Sequence, residues 1–448
     1  MSGAGSSAAP ARAVATRVLH RVANKGAYAA PTLDAEIRRA GLDPRDAALA
    51  SEIVYGALRV LPSLDRTIED FLRRGGGGRM DGWTRASLRA ATYQILHLSR
   101  VPVRAVVHDA VAVVRAERGS RLGGFVNAVL RRVGQQRPAD PRPPSRMDLP
   151  DWLDARLADA LGAERAAAFV SARPLPPPMG LRARGDRTQL ASQLRAAHPG
   201  AEVLEGTLAP GALLLRGAGD PRKLPGYDAG DFAVQEQGAQ AVGLALGAQP
   251  GQRVVDACAG RGGKSSLLAD RVGERGHVTA LDLHERKLEA LVPELERLGM
   301  AAERVETRTV DLTVGTAGLG PLFDGVLVDA PCTNLGTVHR RPELLLRLAP
   351  DDPSRLAELQ RSILGHAAGL VRPGGTLVYA VCSPTHEEGR EVAGAVEAAN
   401  PSLRRLHGPL PASGVAPDRD GVVRIGPWSD ASGGCDAYQI VRWGVGEG

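Results

Sequence analysis

The sequence predicts a multidomain protein: an all-α first third, a small α+β middle, and a closing α/β half of Rossmann-like type on an open, mainly parallel sheet. Three observations predict it. Apolar residues recur at three- and four-residue spacing from Ala11 to Val133, short apolar runs alternate with helical stretches after Gly251, and a proline-rich stretch separates the two textures. At 448 residues the chain exceeds one compact core of usual size, so two or three domains are expected.

Residues 1–10 are small and polar without a basic-then-apolar pattern, which excludes a secretory signal and predicts a disordered tail. Residues 11–137 form the helical domain. Val18-Leu19 and Val22, then Ile53-Val54 and Ala57-Leu58, then Ala91-Thr92 and Ile95-Leu96 keep the helical period, and Gly75 to Gly78 makes a flexible connector. Prolines at 138, 141, 143, 144 and 150 give residues 138–150 linker composition. Residues 151–250 mix helical stretches over 152–170 and 188–197 with short apolar runs such as Ala212 to Leu215, which predicts a small α+β subdomain. In residues 251–448, strands are expected over 253–258, 277–283, 304–310, 323–330 and 376–382, with helices over 285–298 and 356–371. Such sheets take ligands at the carboxyl ends of their strands.

Composition narrows the class. Apolar residues make up 43% and charged residues 24%, an ordinary globular balance, while 3% aromatics weakens any proposal built on stacking platforms. No run of eighteen uncharged apolar residues exists, so no membrane span is expected. Cysteines at 258, 332, 382 and 435, with no C-x-x-C, make no disulfide framework and predict a cytoplasmic protein with free thiols. The net charge of +6 hides an asymmetry: the first 138 residues carry 22 Lys and Arg against 11 Asp and Glu, the remainder 34 against 39. A basic module on a mildly acidic one points to a polyanion, most simply nucleic acid; the plainer reading is an arginine-rich solvated surface.

The strand ends carry the chemistry. The first strand runs into "DACAGRGGKSS", Asp256 to Ser266. A P-loop would need glycine at 258, where cysteine stands, and a nucleoside triphosphate site has no use for an acid after the second strand or for two cysteines at neighbouring strand ends. A dinucleotide or S-adenosylmethionine fits better. Asp282 lies where an acid accepts hydrogen bonds from ribose hydroxyls, glycines at 260, 262 and 263 let backbone approach a ligand, and Asp311 could receive an adenine amino group. The fourth strand ends in Asp329-Ala330-Pro331-Cys332 and the fifth in Cys382-Ser383, so both thiols would face one pocket. Buried structural cysteine is the plain alternative. A metal site from Cys258, Cys332 and Cys382 lacks paired ligand spacing, and no metal is expected.

"DACAGRGGKSS", "ALDLHERKL", "VDAPCTNLGTVHRRPE" and "LVYAVCSPTHEEGREV" resemble, in order, the motifs of RNA 5-methylcytosine methyltransferases of the Nol/Nop/Sun type. "RDAALASEIVYGALR", "RVPVRAVVHDAVAVVR" and "GGFVNAVLRRV" resemble the NusB-type RNA-binding domain, and the pairing is characteristic of Sun-type bacterial enzymes that modify small-subunit ribosomal RNA. The resemblance runs from about Arg12 to Trp443. It implies a class I methyltransferase domain using S-adenosyl-L-methionine, held by Cys258, Ala259, Gly260, Arg261, Gly262, Gly263, Lys264, Asp282, Asp311 and Asp329.

Carbon 5 of cytosine is a weak nucleophile, and a thiolate adding to carbon 6 makes it an enamine carbon. The resemblance implies that Cys382 is that nucleophile, that Cys332 assists release of product, and that Asp329 hydrogen-bonds the ring at nitrogen 3 and its amino group. A nucleophilic thiol needs positive charge nearby; Lys264, the loop amides and the sulfonium are candidates. The target base must be unpaired or flipped out, and the basic helical domain would hold phosphates. Arg340 and Arg341 are candidates to grip phosphate near the target, against the plain reading of a solvated loop.

The chain departs from the family's pattern at Gly260-Arg261 (usually Ala-Pro), Ser265 (usually threonine), His339 (usually arginine) and Gly434-Cys435-Asp436-Ala437-Tyr438, where a Gly-Phe-Phe-type segment is common. The alternative function is an RNA-binding assembly factor with an inactive methyltransferase domain. A DNA cytosine methyltransferase would need only the Pro-Cys thiol, and a small-molecule methyltransferase has no use for the basic domain.

Overall fold

The structure, a computed structural model, describes residues 10–74, 80–140, 145–172, 177–300, 303–320, 323–430 and 434–446. Residues 1–9 of the tail expected over 1–10, the glycine connector at 75–78 and part of the proline-rich stretch lie outside the described residues, while Pro10 already opens the first helix. The chain divides into two compact units. One holds residues 1–155, 170–175 and 338–348, the other 156–169, 176–337 and 349–448.

The first unit is built on the helices α1 (Pro10–Lys25), α2 (Ala29–Ala40), α3 (Pro44–Arg59), α4 (Leu61–Arg74), α5 (Gly82–His97), α6 (Val103–Arg118) and α7 (Ser120–Gln135). Their starts follow local chemistry. Asp43 accepts the Asp46 N–H ahead of Pro44 at the first position of α3, and Asp81 accepts from Trp83 and Thr84 at the start of α5. Val14, Val18, Ile53, Val54 and Ala57 close one core, and Ile68, Leu88, Val106, Val126 and Leu130 a second. The short stretch 338–348 belongs to this unit. Arg59 Nε donates to the His339 carbonyl (3.0 Å), Glu343 accepts from the Ala29 N–H (3.4 Å), and the Arg347 guanidinium lies 3.9 Å over the Tyr28 ring.

In the chain between, α8 (Asp151–Ser171) is broken at Gly162, whose φ of +74° ends one helix before the next begins. The second unit then opens with β1 (Met179–Ala183), α9 (Arg187–Ala197), β2 (Glu202–Glu205), β3 (Ala212–Arg216) and β4 (Phe232–Val234), an antiparallel sheet in the order β2-β3-β1-β4. This is the expected α+β middle. After α10 (Gln237–Leu244) come β5 (Arg253–Asp256), α11 (Gly263–Val272), β6 (His277–Asp282), α12 (Glu285–Arg297), β7 (Val305–Thr309), β8 (Phe323–Asp329), α13 (Asp352–Ala368), β9 (Val371–Val381), α14 (Arg390–Ala399), β10 (Leu403–Arg405), β11 (Val423–Ile425) and β12 (Tyr438–Val445).

The large sheet has the order β10-β12-β9-β8-β5-β6-β7, with β11 also on β12. Strands β5 to β9 run parallel, whereas β12 is antiparallel to β9, β10 and β11. The expected parallel sheet is therefore the core of a mixed one. Side chains alternate between two hydrophobic cores, Val254, Leu327, Val378 and Ala380 on one face, Val255, Val326, Val328 and Tyr379 on the other. Strand β9 begins five residues before 376. It takes in the Pro373-Gly374-Gly375 turn where its pairing with β8 shifts register. The chain steps outward from β5 to β7 and returns to β8 on the other side of β5, so a crevice opens at the carboxyl ends of β5 and β8.

Candidate active site

The glycine loop fills the step from β5 to α11. Gly260 (φ +58°) and Gly262 (φ +82°) take left-handed backbone, and a Cβ at 262 would stand 2.5 Å from Leu291, so glycine is required there on both counts. Asp282 ends β6 and braces the loop. Its Oδ2 accepts the Gly260 N–H (3.0 Å) and its Oδ1 the His284 N–H (2.9 Å), with Lys287 Nζ at 3.3 Å. Asp256, fully buried beneath the loop, accepts from Ser265 Oγ (2.7 Å). Burial pushes its carboxyl up to about 6 against that hydrogen bond, and its Oδ1 finds no partner among the described residues. Burial likewise pushes the Cys258 thiol up, followed by the charges of Asp256, Asp329 and Asp282. Asp311 lies two residues past β7, its Oδ1 taken by the Thr313 amide (2.9 Å) and hydroxyl (2.6 Å), which hold its carboxyl below the usual range.

Gln235, unassigned in the sequence, backs this loop. Its Oε1 accepts from Arg182 Nε (2.9 Å), and its Nε2 donates to the Gly263 carbonyl (3.0 Å). Arg182 also reaches Ser266 Oγ (2.9 Å) and pairs with Asp270. The stretch around Gln235, Phe232 to Gln240, resembles a family segment leading into the catalytic domain, but the role of Gln235 is not readable from sequence because its partners lie 53 residues before it and 28 after it.

Asp329 and the two thiols occupy neighbouring strand ends. Parallel pairing of β8 with β9 sets Asp329 opposite Ala380. The Asp329 Oδ2 meets Lys264 Nζ at 2.6 Å; burial lowers the Lys264 pKa, but the Asp329 charge and hydrogen bond outweigh it and the net shift is upward. Sγ of Cys332 lies 3.3 Å from Sγ of Cys382. Hydrogen bonding to Cys382 and then burial push the Cys332 thiol well up, and either sulfur can be the donor of that contact. The residues expected to end strands at 258 and 382 lie just past them, Cys258 two residues beyond β5 and Cys382 one beyond β9.

Two side chains that sequence reasoning passed over stand beside the thiols. Asn334 takes left-handed backbone (φ +58°), which asparagine tolerates. Its Oδ1 accepts from the Cys382 thiol (3.2 Å) and its Nδ2 donates to the Cys332 carbonyl (2.8 Å). Glu388 is fully buried and binds the residues that follow each cysteine. Cys435 is fully buried, 3.0 Å from the Asp436 carbonyl. Arg340 and Arg341 belong to the helical unit, where the Arg341 guanidinium lies 5.6 Å from the Tyr28 ring centre.

A glycine loop at the switch point of this sheet order, followed by an acid at the end of the next strand, defines the class I methyltransferase fold, here carried with a NusB-like helical unit. Residues 243–429 match the family described as 16S rRNA methyltransferase RsmB/F, and residues 9–135 match the NusB family. The ribosomal RNA small subunit methyltransferase B of Vibrio vulnificus is 33% identical over 88% of this chain and 92% of its own. That of Xylella fastidiosa is 35% identical over 84% and 87%. The chain belongs to the family of small-subunit ribosomal RNA methyltransferases B. Among solved structures, PH0851 shares the fold over 97% of this chain and 99% of its own (TM-score 0.79, 22% identity). NSun6 from Pyrococcus horikoshii shares it over 67% and 99% (0.56, 17%).

Proposed function

We propose that this protein methylates carbon 5 of a cytosine in small-subunit ribosomal RNA, in the cytoplasm, through a covalent cysteine adduct. The observation that carries the reading is the pair of thiols 3.3 Å apart at the ends of adjacent parallel strands, beside the Lys264–Asp329 ion pair. A single nucleophile would need no such partner.

The crevice residues suit S-adenosyl-L-methionine. Acids at or just past the ends of β6, β7 and β8, Asp282, Asp311 and Asp329, match ribose hydroxyls, an adenine amino group and a cationic centre, and a Cβ at Gly260 would meet only open space. Cys258 to Lys264, Asp282, Asp311 and Asp329 would hold it. When bound, it supplies an electrophilic methyl group on a sulfonium. Cys382 adds as thiolate to carbon 6 of the cytosine, making carbon 5 nucleophilic, while Asp329 hydrogen-bonds nitrogen 3 and the amino group. After methylation, loss of the proton at carbon 5 to a base lets the Cys382 thiolate leave. Cys332, 3.3 Å from that sulfur, assists the release.

The RNA is held by the helical unit. An open groove of about 1040 Å³ lies against α6 and α7. Val103, Val107 and Val111 line it together with Arg104, Arg115 and Arg131, which are exposed and have no carboxylate partner among the described residues. Such cations position a phosphate backbone without reading bases. Arg340 and Arg341, on the 338–348 stretch of the same unit, would grip phosphate as well.

Labelled S-adenosylmethionine with small-subunit RNA tests the reading. Cys382→Ala loses methyl transfer by roughly 10⁴-fold or more. Cys332→Ala traps a covalent protein–RNA adduct visible on a denaturing gel, and Cys382→Ala does not. The reverse pattern would exchange the two roles, and absence of label transfer by the unaltered protein would sink the enzyme itself.

A further inference from the structure

The two thiols stand on turns that follow different strands, so their separation depends on whatever joins those turns. Glu388 does so. Its Oε1 accepts from two N–H donors, the Thr333 amide (2.8 Å) and Gln360 Nε2 (3.1 Å). Its Oε2 meets three hydroxyls, Thr333 Oγ1 (2.5 Å), Ser383 Oγ (2.5 Å) and Thr385 Oγ1 (3.3 Å). Thr333 follows Cys332, and Ser383 follows Cys382. Gln360 also donates to the Pro331 carbonyl (2.9 Å), and the Tyr379 hydroxyl lies 2.5 Å from the Glu388 carbonyl.

We propose that Glu388 is a positioning residue: its carboxyl group staples the Cys332 turn to the Cys382 turn and sets the distance between their sulfurs. The proposal rests on the reading that both thiols act in turn on one base. The staple works by geometry rather than charge. Hydroxyls accept as readily as they donate, so in Glu388→Gln an amide nitrogen in place of Oε2 still finds partners, while the remaining oxygen keeps both N–H donors. Glu388→Ala leaves the Thr333 amide without its acceptor, removes one of the two acceptors of Gln360 Nε2, and unties the turns. Burial pushes the Glu388 carboxyl up against the hydrogen bonds from Ser383 and Thr333, and either protonation state can hold the same partners.

Oxidation with diamide reads the distance without RNA or methyl donor. Two thiols become a disulfide as the diazene is reduced to the hydrazine, and the sulfurs must close from 3.3 Å to about 2.05 Å. Peptide mapping follows the Cys332–Cys382 disulfide. Glu388→Gln should cross-link within about threefold of the unaltered protein, and Glu388→Ala roughly tenfold more slowly. Thr333→Val keeps the backbone donor and the side-chain volume but loses one hydroxyl, and should fall between them, which covers the case of Glu388→Ala failing to fold. Unaltered rates in both Glu388→Ala and Thr333→Val would overturn the proposal, as would Glu388→Gln as slow as Glu388→Ala. Because the cross-link needs no substrate, failure of methyl transfer counts against the proposed function and leaves this measurement standing.

Discussion

Asp256 shows what a single carboxyl group under the glycine loop does to the protein. Burial raises its pKa from 3.8 to about 6, with the Ser265 hydroxyl only partly offsetting the loss of water. A carboxyl raised on folding stabilises the fold in its protonated form. That contribution is complete below the unfolded pKa near 3.8 and is lost as pH rises through about 6. Asp256→Asn keeps an acceptor for Ser265 and carries no charge at any pH. Its stability relative to the unaltered protein should therefore rise between pH 4 and pH 8, by at most about 3 kcal/mol. Urea melts at pH 4, 6 and 8 measure the difference. An offset that does not change with pH would show that Asp256 titrates normally.

At the scale of elements, the turn after β8 is the least forgiving piece of the site. The Gly336 N–H donates to the Cys382 carbonyl (2.9 Å), and its own carbonyl accepts from Ala437 (3.1 Å). A Cβ there would stand 2.0 Å from the Ala437 carbonyl oxygen, at the edge of β12. Gly336→Ala must push these segments apart, at a cost of roughly 1–3 kcal/mol, and should lower the melting temperature together with methyl transfer. An unchanged melting temperature would mean that the turn has slack. The same elements mark what was legible. Strands β5, β6 and β8 are apolar in nearly continuous runs because both faces are buried, and Asp282, Asp329, Cys332 and Cys382 stood out because they follow such runs. Strand β12 was not legible, since Gln439 and Arg442 interrupt its apolar residues and its pairing is with a distant strand. Glu388 lies in His386-Glu387-Glu388-Gly389-Arg390, a polar run that reads as solvated. Its burial depends on Thr333 and Gln360, 55 and 28 residues away. For the same reason no pattern assigns 338–348 to the helical unit.

For the whole molecule, charge is divided by task. The basic first third spends part of its cation set on folding: Arg12 pairs with Asp109 (2.6 Å), Arg17 with Glu36 (2.9 Å) and Arg89 with Asp65 (2.6 Å). Arg104, Arg115 and Arg131 on α6 and α7 have no such partner among the described residues. Guanidinium groups left unpaired on one face gain most from a polyanion, because each phosphate they neutralise releases a counterion. Changing all three to glutamate should weaken binding of a small-subunit RNA transcript by at least about tenfold near 0.15 M salt and reduce the slope of log affinity against log salt by about 2 to 3. Fluorescence anisotropy across a salt series measures both. Binding of S-adenosylmethionine, read by calorimetry, should stay unchanged, since none of the three lies in the methyltransferase unit. An unchanged salt slope would show that the RNA is held elsewhere, and a loss of donor binding would show that the substitutions had damaged the fold instead of the RNA surface.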